Sequence, residues 1–411
     1  MNELFGPLSA QARGLLHSVP AIIDKTFPLP GRFRAGLASD VAELSRLMTA
    51  ARGERGLSYL SRPNHLSAYL RYFLPWNIFR LSRLLASLEI SLSPGDAILD
   101  LGCGPLSFAA ALWISRPDLR KIPLELRCVD RTAAVMEAGK KFFTALAGAD
   151  CPWKIITIRA QISPAGTISY GRAGSGGASR QSGSAGRQSG GAAKQSGGRG
   201  AALVCAINVF NELYAKVSHD DRGGVRNAAA NSARLLDSCA AAGAAILVAE
   251  PGVPFSGAFI SGLRDALLER KRFPVSPCPH FAACPFPGGS SGGSWRKNRW
   301  CHFAFDTEAA PPELRRLSAA AGLPKDRATL SFLFAGPNPT ASNEKQARII
   351  TDAFPLAEGK SGRYACSQKG LVLVTGRRSA IEACASGALV SAAPDKNGAR
   401  DAKSGALLAE I

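Results

Sequence analysis

The stretch that decides the fold is Ile98-Leu99-Asp100-Leu101-Gly102-Cys103-Gly104-Pro105. Ala97 to Asp100 reads as a short apolar strand that runs into a Gly-x-Gly turn. Such a turn is needed where backbone passes close to a ligand and a side chain would obstruct the approach. The acid ahead of the glycines would repel a pyrophosphate and suits a ligand bearing positive charge. Working outward, Phe108 to Ile114 predicts a helix, and Leu124 to Val129 a second strand closing at Asp130. A carboxylate at that point is placed to accept both hydroxyls of a ribose. Helices are predicted over Ala133–Leu146, Asn227–Ala241 and Ala258–Arg270, and strands over Trp153–Ile158, Leu203–Ile207 and Ala245–Ala249. The alternation predicts a doubly wound parallel sheet.

Asp100, the Gly102–Gly104 turn and Asp130, in this order, resemble the S-adenosylmethionine site of Rossmann-like class I methyltransferases. The resemblance implies a cofactor held near Asp100, Gly102, Gly104 and Asp130. The fourth strand delivers Asn208-Val209-Phe210-Asn211-Glu212-Leu213 to its C-terminal end, where ligands bind in an open α/β sheet. Asn208, Asn211 and Glu212 are the candidate catalytic residues, with a purely structural turn as the alternative. The Asn/Asp-Pro-Pro-aromatic string of base-modifying amino-methyltransferases is not found here. Cys205 lies inside the strand and reads as core, not as the Pro-Cys nucleophile of cytosine-C5 enzymes.

Residues 1–90 read as a helical region. Val41–Ala51 follows a Ser39-Asp40 N-cap, and His65–Leu88 is amphipathic with a kink expected at Pro75. In the second stretch Tyr69, Tyr72, Phe73, Trp76, Phe79 and Leu84 are interleaved with Arg71, Arg80 and Arg83. This predicts a core-packing face with solvated arginines, or alternatively an RNA-facing surface. Residues 91–271 form the expected Rossmann-like core. They are interrupted at 163–200 by a Gly/Ser-rich degenerate repeat that carries Arg172, Arg180, Arg187, Lys194 and Arg199. Such a composition buries too little apolar surface to order itself, so a disordered basic insertion is expected. Residues 272–376 form a cysteine-bearing region with the final strands, and 377–411 a low-complexity, loosely ordered tail.

Of the 411 residues 46% are hydrophobic and 20% charged, a balance that excludes global disorder and a fibrous protein. No apolar run approaches the roughly 20 residues of a membrane span, and the first stretch lacks a signal-peptide pattern. A soluble, cytoplasmic monomer is expected. The net charge of +19 favours a polyanionic partner, nucleic acid first.

The ten cysteines are expected to be reduced. Cys103, Cys128, Cys151, Cys205 and Cys239 sit in or beside apolar runs as small hydrophobes. Cys384, in a Gly/Ala-rich segment, carries little information. Cys278, Cys284, Cys301 and Cys366 differ, lying in Pro277-Cys278-Pro279-His280, Cys284-Pro285, Trp300-Cys301-His302-Phe303 and Tyr364-Ala365-Cys366. Four thiolates suit a zinc ion or an iron–sulfur cluster, and the spacing alone leaves packed thiols as an alternative.

Glu250-Pro251-Gly252-Val253-Pro254, these four cysteine contexts, Ala68-Tyr69-Leu70-Arg71-Tyr72 and Asn211-Glu212-Leu213 occur here together. The set resembles the small-ribosomal-subunit methyltransferase-like family, which includes the mitochondrial small-subunit assembly factor and its bacterial relatives. The resemblance spans residues 40 to 376 apart from the insertion. It implies a [4Fe-4S] cluster on Cys278, Cys284, Cys301 and Cys366, with zinc as the alternative metal. It also implies S-adenosylmethionine, and docking on the small ribosomal subunit or its rRNA through a basic surface. His280 and His302 are expected to pack against or hydrogen-bond the cluster sulfurs. An rRNA methyltransferase and a non-catalytic assembly or translation factor are both implied. A small-molecule methyltransferase would leave the positive charge without a purpose. One departure stands out: the turn runs Gly-Cys-Gly-Pro-Leu-Ser where relatives tend to have Gly-x-Gly-Pro-Gly-Thr.

Overall fold

Leu203, Cys205 and Ile207 of one strand enter one hydrophobic core, while Val204 and Ala206 enter another. The next strand repeats this, with Leu247 and Ala249 on the first side and Ile246 and Val248 on the second. Alternate side chains of a strand point to opposite faces, so this sheet is buried on both. In the computed structural model the described residues are 3–49, 62–170, 200–289, 300–339, 343, 345–392 and 398–411.

The chain begins with helices α1 (Ala10–Thr26), α2 (Gly31–Arg34), α3 (Leu37–Met48), α4 (Pro63–Ala68) and α5 (Leu74–Leu85). Then follow β1 (Ala97–Leu101), α6 (Ser107–Ser115), β2 (Leu124–Asp130), α7 (Ala133–Ala147), β3 (Trp153–Ile162), β4 (Ile168–Tyr170), β5 (Ala201–Ile207), α8 (Phe210–Leu213) and α9 (Arg222–Cys239). Next come β6 (Ala240–Pro251), α10 (Pro254–Leu268), β7 (Phe273–Ser276), β8 (Phe303–Asp306), α11 (Pro312–Ala320) and β9 (Arg327–Gly336). The last elements are β10 (Gln346–Ile349), β11 (Phe354–Pro355), β12 (Lys360–Ser367), β13 (Gly370–Arg377), α12 (Arg378–Ala383), β14 (Leu389–Ser391) and β15 (Leu407–Glu410).

Among the described residues the main sheet runs β4-β3-β2-β1-β5-β6-β9-β7, with β8 also on β9. Strands β1, β2, β3, β5 and β6 are parallel, and β9 runs antiparallel between β6 and β7. An antiparallel strand slotted in next to the last one is the order of the Rossmann-like methyltransferase sheet, as expected. A second sheet, β14-β10-β12-β13-β15 with β11 on β12, closes the C-terminal region. Tyr364, Leu371 and Leu373 of its strands face the main core, and Ala365, Val372 and Val374 face a small core of their own.

Several expectations are corrected. The helix after Ser39-Asp40 starts earlier, at Leu37, with Gly36 at its cap, so both residues lie in its first turn. The stretch around Pro75 holds a π-helical turn at Tyr69–Phe73, in which the Leu74 N–H reaches back to Tyr69 O. Pro75 has no N–H to continue the regular ladder, and the wider turn precedes it. Arg71 and Arg83 are buried, not solvated: Arg71 binds Asp24, Ser67 and the Phe27 carbonyl, and Arg83 binds the Phe5 carbonyl. The insertion opens as structure, because Ile168–Tyr170 pairs with the extended end of β3. Its residues 171–199, with the five cations, lie outside the described residues. The described part of the tail contributes α12, β14 and β15, so it is not featureless.

Helix α7 is pressed onto the turn after β1. A Cβ built on Gly139 would lie 2.5 Å from the Pro105 carbonyl carbon and 2.7 Å from its Cα. Gly139→Ala must therefore shift backbone on one side, and a loss of about 1–3 kcal/mol in equilibrium urea unfolding is expected. A variant as stable as the parent would show that the contact is soft.

Candidate functional site

At the C-terminal ends of β1, β2, β5 and β6 the sheet opens into a cavity of 720 Å³, within the usual range for a small-molecule site. Its floor includes Gly102, Gly104, Asp130, Thr132, Ile207 and Asn208. Its roof comes from elsewhere: Met48 of α3, Tyr69 and Phe73 of the π-helical turn, Asn77 and Arg80 of α5, and Leu323–Lys325 between α11 and β9.

Gly102 sits at φ +68°, and a Cβ there would lie 2.5 Å from Val209 Cγ2, so the turn after β1 requires glycine for both reasons. Gly104 donates its N–H to Asp130 Oδ2 at 3.1 Å, and Thr132 donates to Asp130 Oδ1 at 2.9 Å. These two bonds hold the Asp130 carboxylate at the cavity edge. Leu106 adopts φ +60° and ψ 38°, the left-handed region. A side chain held there costs roughly 1–3 kcal/mol. The Leu106 side chain is fully buried in the core, which offsets that cost.

Three of the four expected cofactor residues therefore line one cavity, and Asp100 does not. It lies beneath the turn, 2% exposed, with Cys205 Sγ donating to its Oδ1 at 3.5 Å and its Oδ2 without a partner. Burial pushes its pKa up to about 7.

Asn208, Asn211 and Glu212 are brought together beyond β5, each in a different setting. Asn208 has φ +58°, and its side-chain oxygen accepts from Arg80 Nη2 at 2.7 Å while its Nδ2 donates to Asn77 Oδ1 at 3.3 Å. Asn211 is buried. Its N–H and that of Phe210 both donate to the carboxylate of Glu250, at 3.1 and 2.8 Å. Burial raises Glu250 to about 7 despite those bonds and Arg80. Glu212 lies on the cavity wall. Burial, followed by the charges of Glu212 and Asp130, pushes the Tyr69 phenol well above its usual value.

Sequence reading missed the roles of Asn77 and Glu250. Tyr69, Phe73, Asn77 and Arg80 recur at about one helical turn along one stretch, a signal visible in the sequence but shared with ordinary core packing.

The four cysteines converge at the seam between the two sheets. Cys278 and Cys284 come from the loop after β7, Cys301 precedes β8, and Cys366 lies in β12 on the side facing the main core. Burial pushes the Cys284 thiol up to about 11, with Cys278 adding to it. Cys301 and Cys366 are raised further, first by burial and then by the other cysteines of the set. Two buried guanidinium groups hold the loop: Arg264 donates to the carbonyls of His280 and Ala282, and Arg348 to that of Pro277. His280 Nε2 lies 3.3 Å from Cys366 Sγ, and its buried Nδ1 and Arg264 Nε lack partners. His302 instead stacks on Trp300 and bonds its carbonyl. Among the described residues no three His, Cys, Asp or Glu side chains form a group set to hold a metal ion. The thiols are gathered but not closed into a chelate.

Asp100 and Glu250, both raised towards 7, favour the folded state when protonated. Their contribution is full below the ordinary carboxylate range and is lost as pH rises through about 7. His280, held down to about 4 by burial, slopes the other way. Asp100→Asn should therefore show a smaller fall in urea midpoint between pH 5 and 8 than the parent, His280 being common to both. Parallel curves would place the Asp100 pKa elsewhere.

No helix among the described residues is long and apolar enough to cross a membrane. No curated protein matches the chain. Among solved structures, the pyocyanin biosynthetic protein PhzM aligns at 13% identity and a TM-score of 0.29, over 70% of this chain and 63% of that one. The plantazolicin methyltransferase BpumL, in complex with SAH, aligns at 12% and 0.28, over 79% and 98%. The Synechocystis magnesium protoporphyrin IX methyltransferase, with bound SAM, aligns at 8% and 0.30, over 73% and 97%. Residues 223–381, from α9 to α12 and including Glu250 and all four cysteines of the seam, match the family described as "Mitochondrial small ribosomal subunit Rsm22". Over that stretch the chain is similar to the Rsm22 family, and its main sheet is of the methyltransferase type.

Proposed function

We propose that this protein acts on the small ribosomal subunit as an S-adenosylmethionine-binding, methyltransferase-like factor that carries an iron–sulfur cluster. The observation that carries the reading is the cavity at the carboxyl edge of the sheet, with Gly102, Gly104 and Asp130 on its floor. The name of the matched family supplies the ribosomal subunit, and the net charge of +19 suits its RNA.

Asp130, oriented by Gly104 and Thr132, is the acceptor for ribose hydroxyls. The glycine turn leaves room for the methionine end, with Asp100 buried beneath it. When bound, S-adenosylmethionine supplies an activated methyl group. The chain's part is positioning, and Glu212 beside Tyr69 is the group placed to accept a proton from an acceptor atom.

A second reading, a non-catalytic assembly factor, is favoured by one observation. Both ends of the Asn208 amide are engaged by Arg80 and Asn77, which makes that residue a structural corner. Small subunits from a strain lacking the protein, incubated with it and radiolabelled S-adenosylmethionine, separate the two. Label in the RNA is expected for the enzyme, and co-sedimentation without label for the assembly factor. Asp130→Ala should weaken S-adenosylmethionine binding at least tenfold in calorimetry, and unchanged affinity would remove the ribose role.

The donor set at the seam fits a cluster. Burial raises the thiols of Cys284, Cys301 and Cys366, so they stay protonated unless a bound metal deprotonates them. Four thiolates suit either one zinc ion or an iron–sulfur cluster, and the metal content of the purified protein distinguishes the two. Cys278, Cys284, Cys301 and Cys366 are the proposed cluster ligands, with Arg264 and Arg348 offsetting the negative charge. Anaerobically purified protein should carry about four irons and four sulfides per chain, and Cys366→Ser should lose most of them. Stoichiometric zinc in both would replace the cluster reading.

A further inference from the structure

Beside the roof of the cofactor cavity lies a second depression, an open groove of 410 Å³ on the protein surface. It is lined by Pro312, Arg315, Arg316 and Ala319 of α11 and by the Pro324-Lys325-Asp326 segment. Pro324 and Lys325 belong to the walls of both depressions, so the groove and the cavity adjoin at this segment. Its polar lining is three cations against one carboxylate. Arg316 shares an exposed ion pair with Glu313 at 3.2 Å, a contact that water and salt largely screen. Arg315 makes no ion pair among the described residues. The Lys325 ammonium stands 5.5 and 5.4 Å from the ring centres of Tyr72 and Trp76, a cation–π contact where the two depressions adjoin.

The cavity side of that junction is aromatic. Tyr69 and Phe73 stack at 5.5 Å and line the cavity. A cationic track that ends at an aromatic-walled pocket is the arrangement that takes an unpaired nucleotide, with its phosphates on the charges and its base against the rings. An acidic polypeptide would suit the cations but gains nothing from the rings.

We infer that the Arg315–Arg316–Lys325 groove holds the phosphates of a single-stranded RNA segment whose next base enters the cavity beside Tyr69 and Phe73. This rests on the proposal that the protein acts on ribosomal RNA.

The test is the salt dependence of binding to a fluorescein-labelled, unstructured RNA of about 12 nucleotides, between 50 and 200 mM KCl. Each phosphate contact on a single strand contributes about 0.7 to the slope of log K against log salt. The Arg315→Gln/Arg316→Gln variant should lower that slope by about 1.4 and leave S-adenosylmethionine affinity unchanged, since neither residue lines the cofactor cavity. Arg315→Gln alone, on an exposed helix face, should lower it by about 0.7 and guards against misfolding of the double variant. A parental slope in the folded variants would overturn the groove assignment while leaving RNA binding in place. A parent that binds S-adenosylmethionine but not this RNA, nor intact small subunits, would overturn the functional reading itself. Loss of polyglutamate binding in the variant, with RNA binding unaffected, would assign the groove to an acidic protein instead and sink the inference.

Discussion

Strand β9 is the constraint on which the rest of the structure depends. It runs antiparallel between β6 and β7 and pairs with β8 as well, so three strands take their register from it. Its Thr329 carbonyl accepts from Arg80, which also holds Asn208 in the cavity wall. Its Ser331 hydroxyl donates to the Cys301 carbonyl at 2.7 Å. Phe332 packs on Phe5 and Phe303, tying the N-terminus of the chain to the same strand. A slip of one residue in β9 would turn every one of these side chains to the opposite face, so cavity and cysteine seam stand or fall together.

The central motif was legible because its constraints are local. A strand, a turn that needs glycine and a carboxylate at the end of the next strand are all encoded within a few residues of where they act. Gly102, Gly104 and Asp130 accordingly meet at one cavity. The same logic misplaced Asp100, since alternation along a strand fixes which face a side chain takes but not how deep beneath the turn it lies. Its partner, Cys205, comes from a strand 105 residues away.

What could not be read in sequence is closed by long-range pairing. Leu407–Glu410 becomes a strand only by lying parallel to β13, and Leu389–Ser391 only against β10. Neither has enough local preference to declare itself, and the surrounding Gly and Ala content reads as disorder. The roof of the cavity is hidden for a related reason. The contact between Arg80 and Asn208 joins residues 128 positions apart, and the π-helical turn ahead of α5 alters the helical register that sequence periodicity assumes.

The buried charges show how the two centres differ. Beneath the cavity Asp100 and Glu250 are buried, and burial raises both to about 7, which lowers the negative charge each carries at neutral pH. Phe210 and Asn211 are fixed by Glu250 without a full negative charge beside Glu212. At the seam the balance is reversed, because guanidinium groups stay charged when buried. Arg264 and Arg348 bind loop carbonyls and still present positive charge to the thiols. Each buried cation costs several kcal/mol to desolvate unless it is compensated. Asp265 at 2.7 Å and the carbonyls of His280 and Ala282 do this for Arg264, and the Pro277 carbonyl does part of it for Arg348, so the loop that carries Cys278 is fixed by charge as well as by packing.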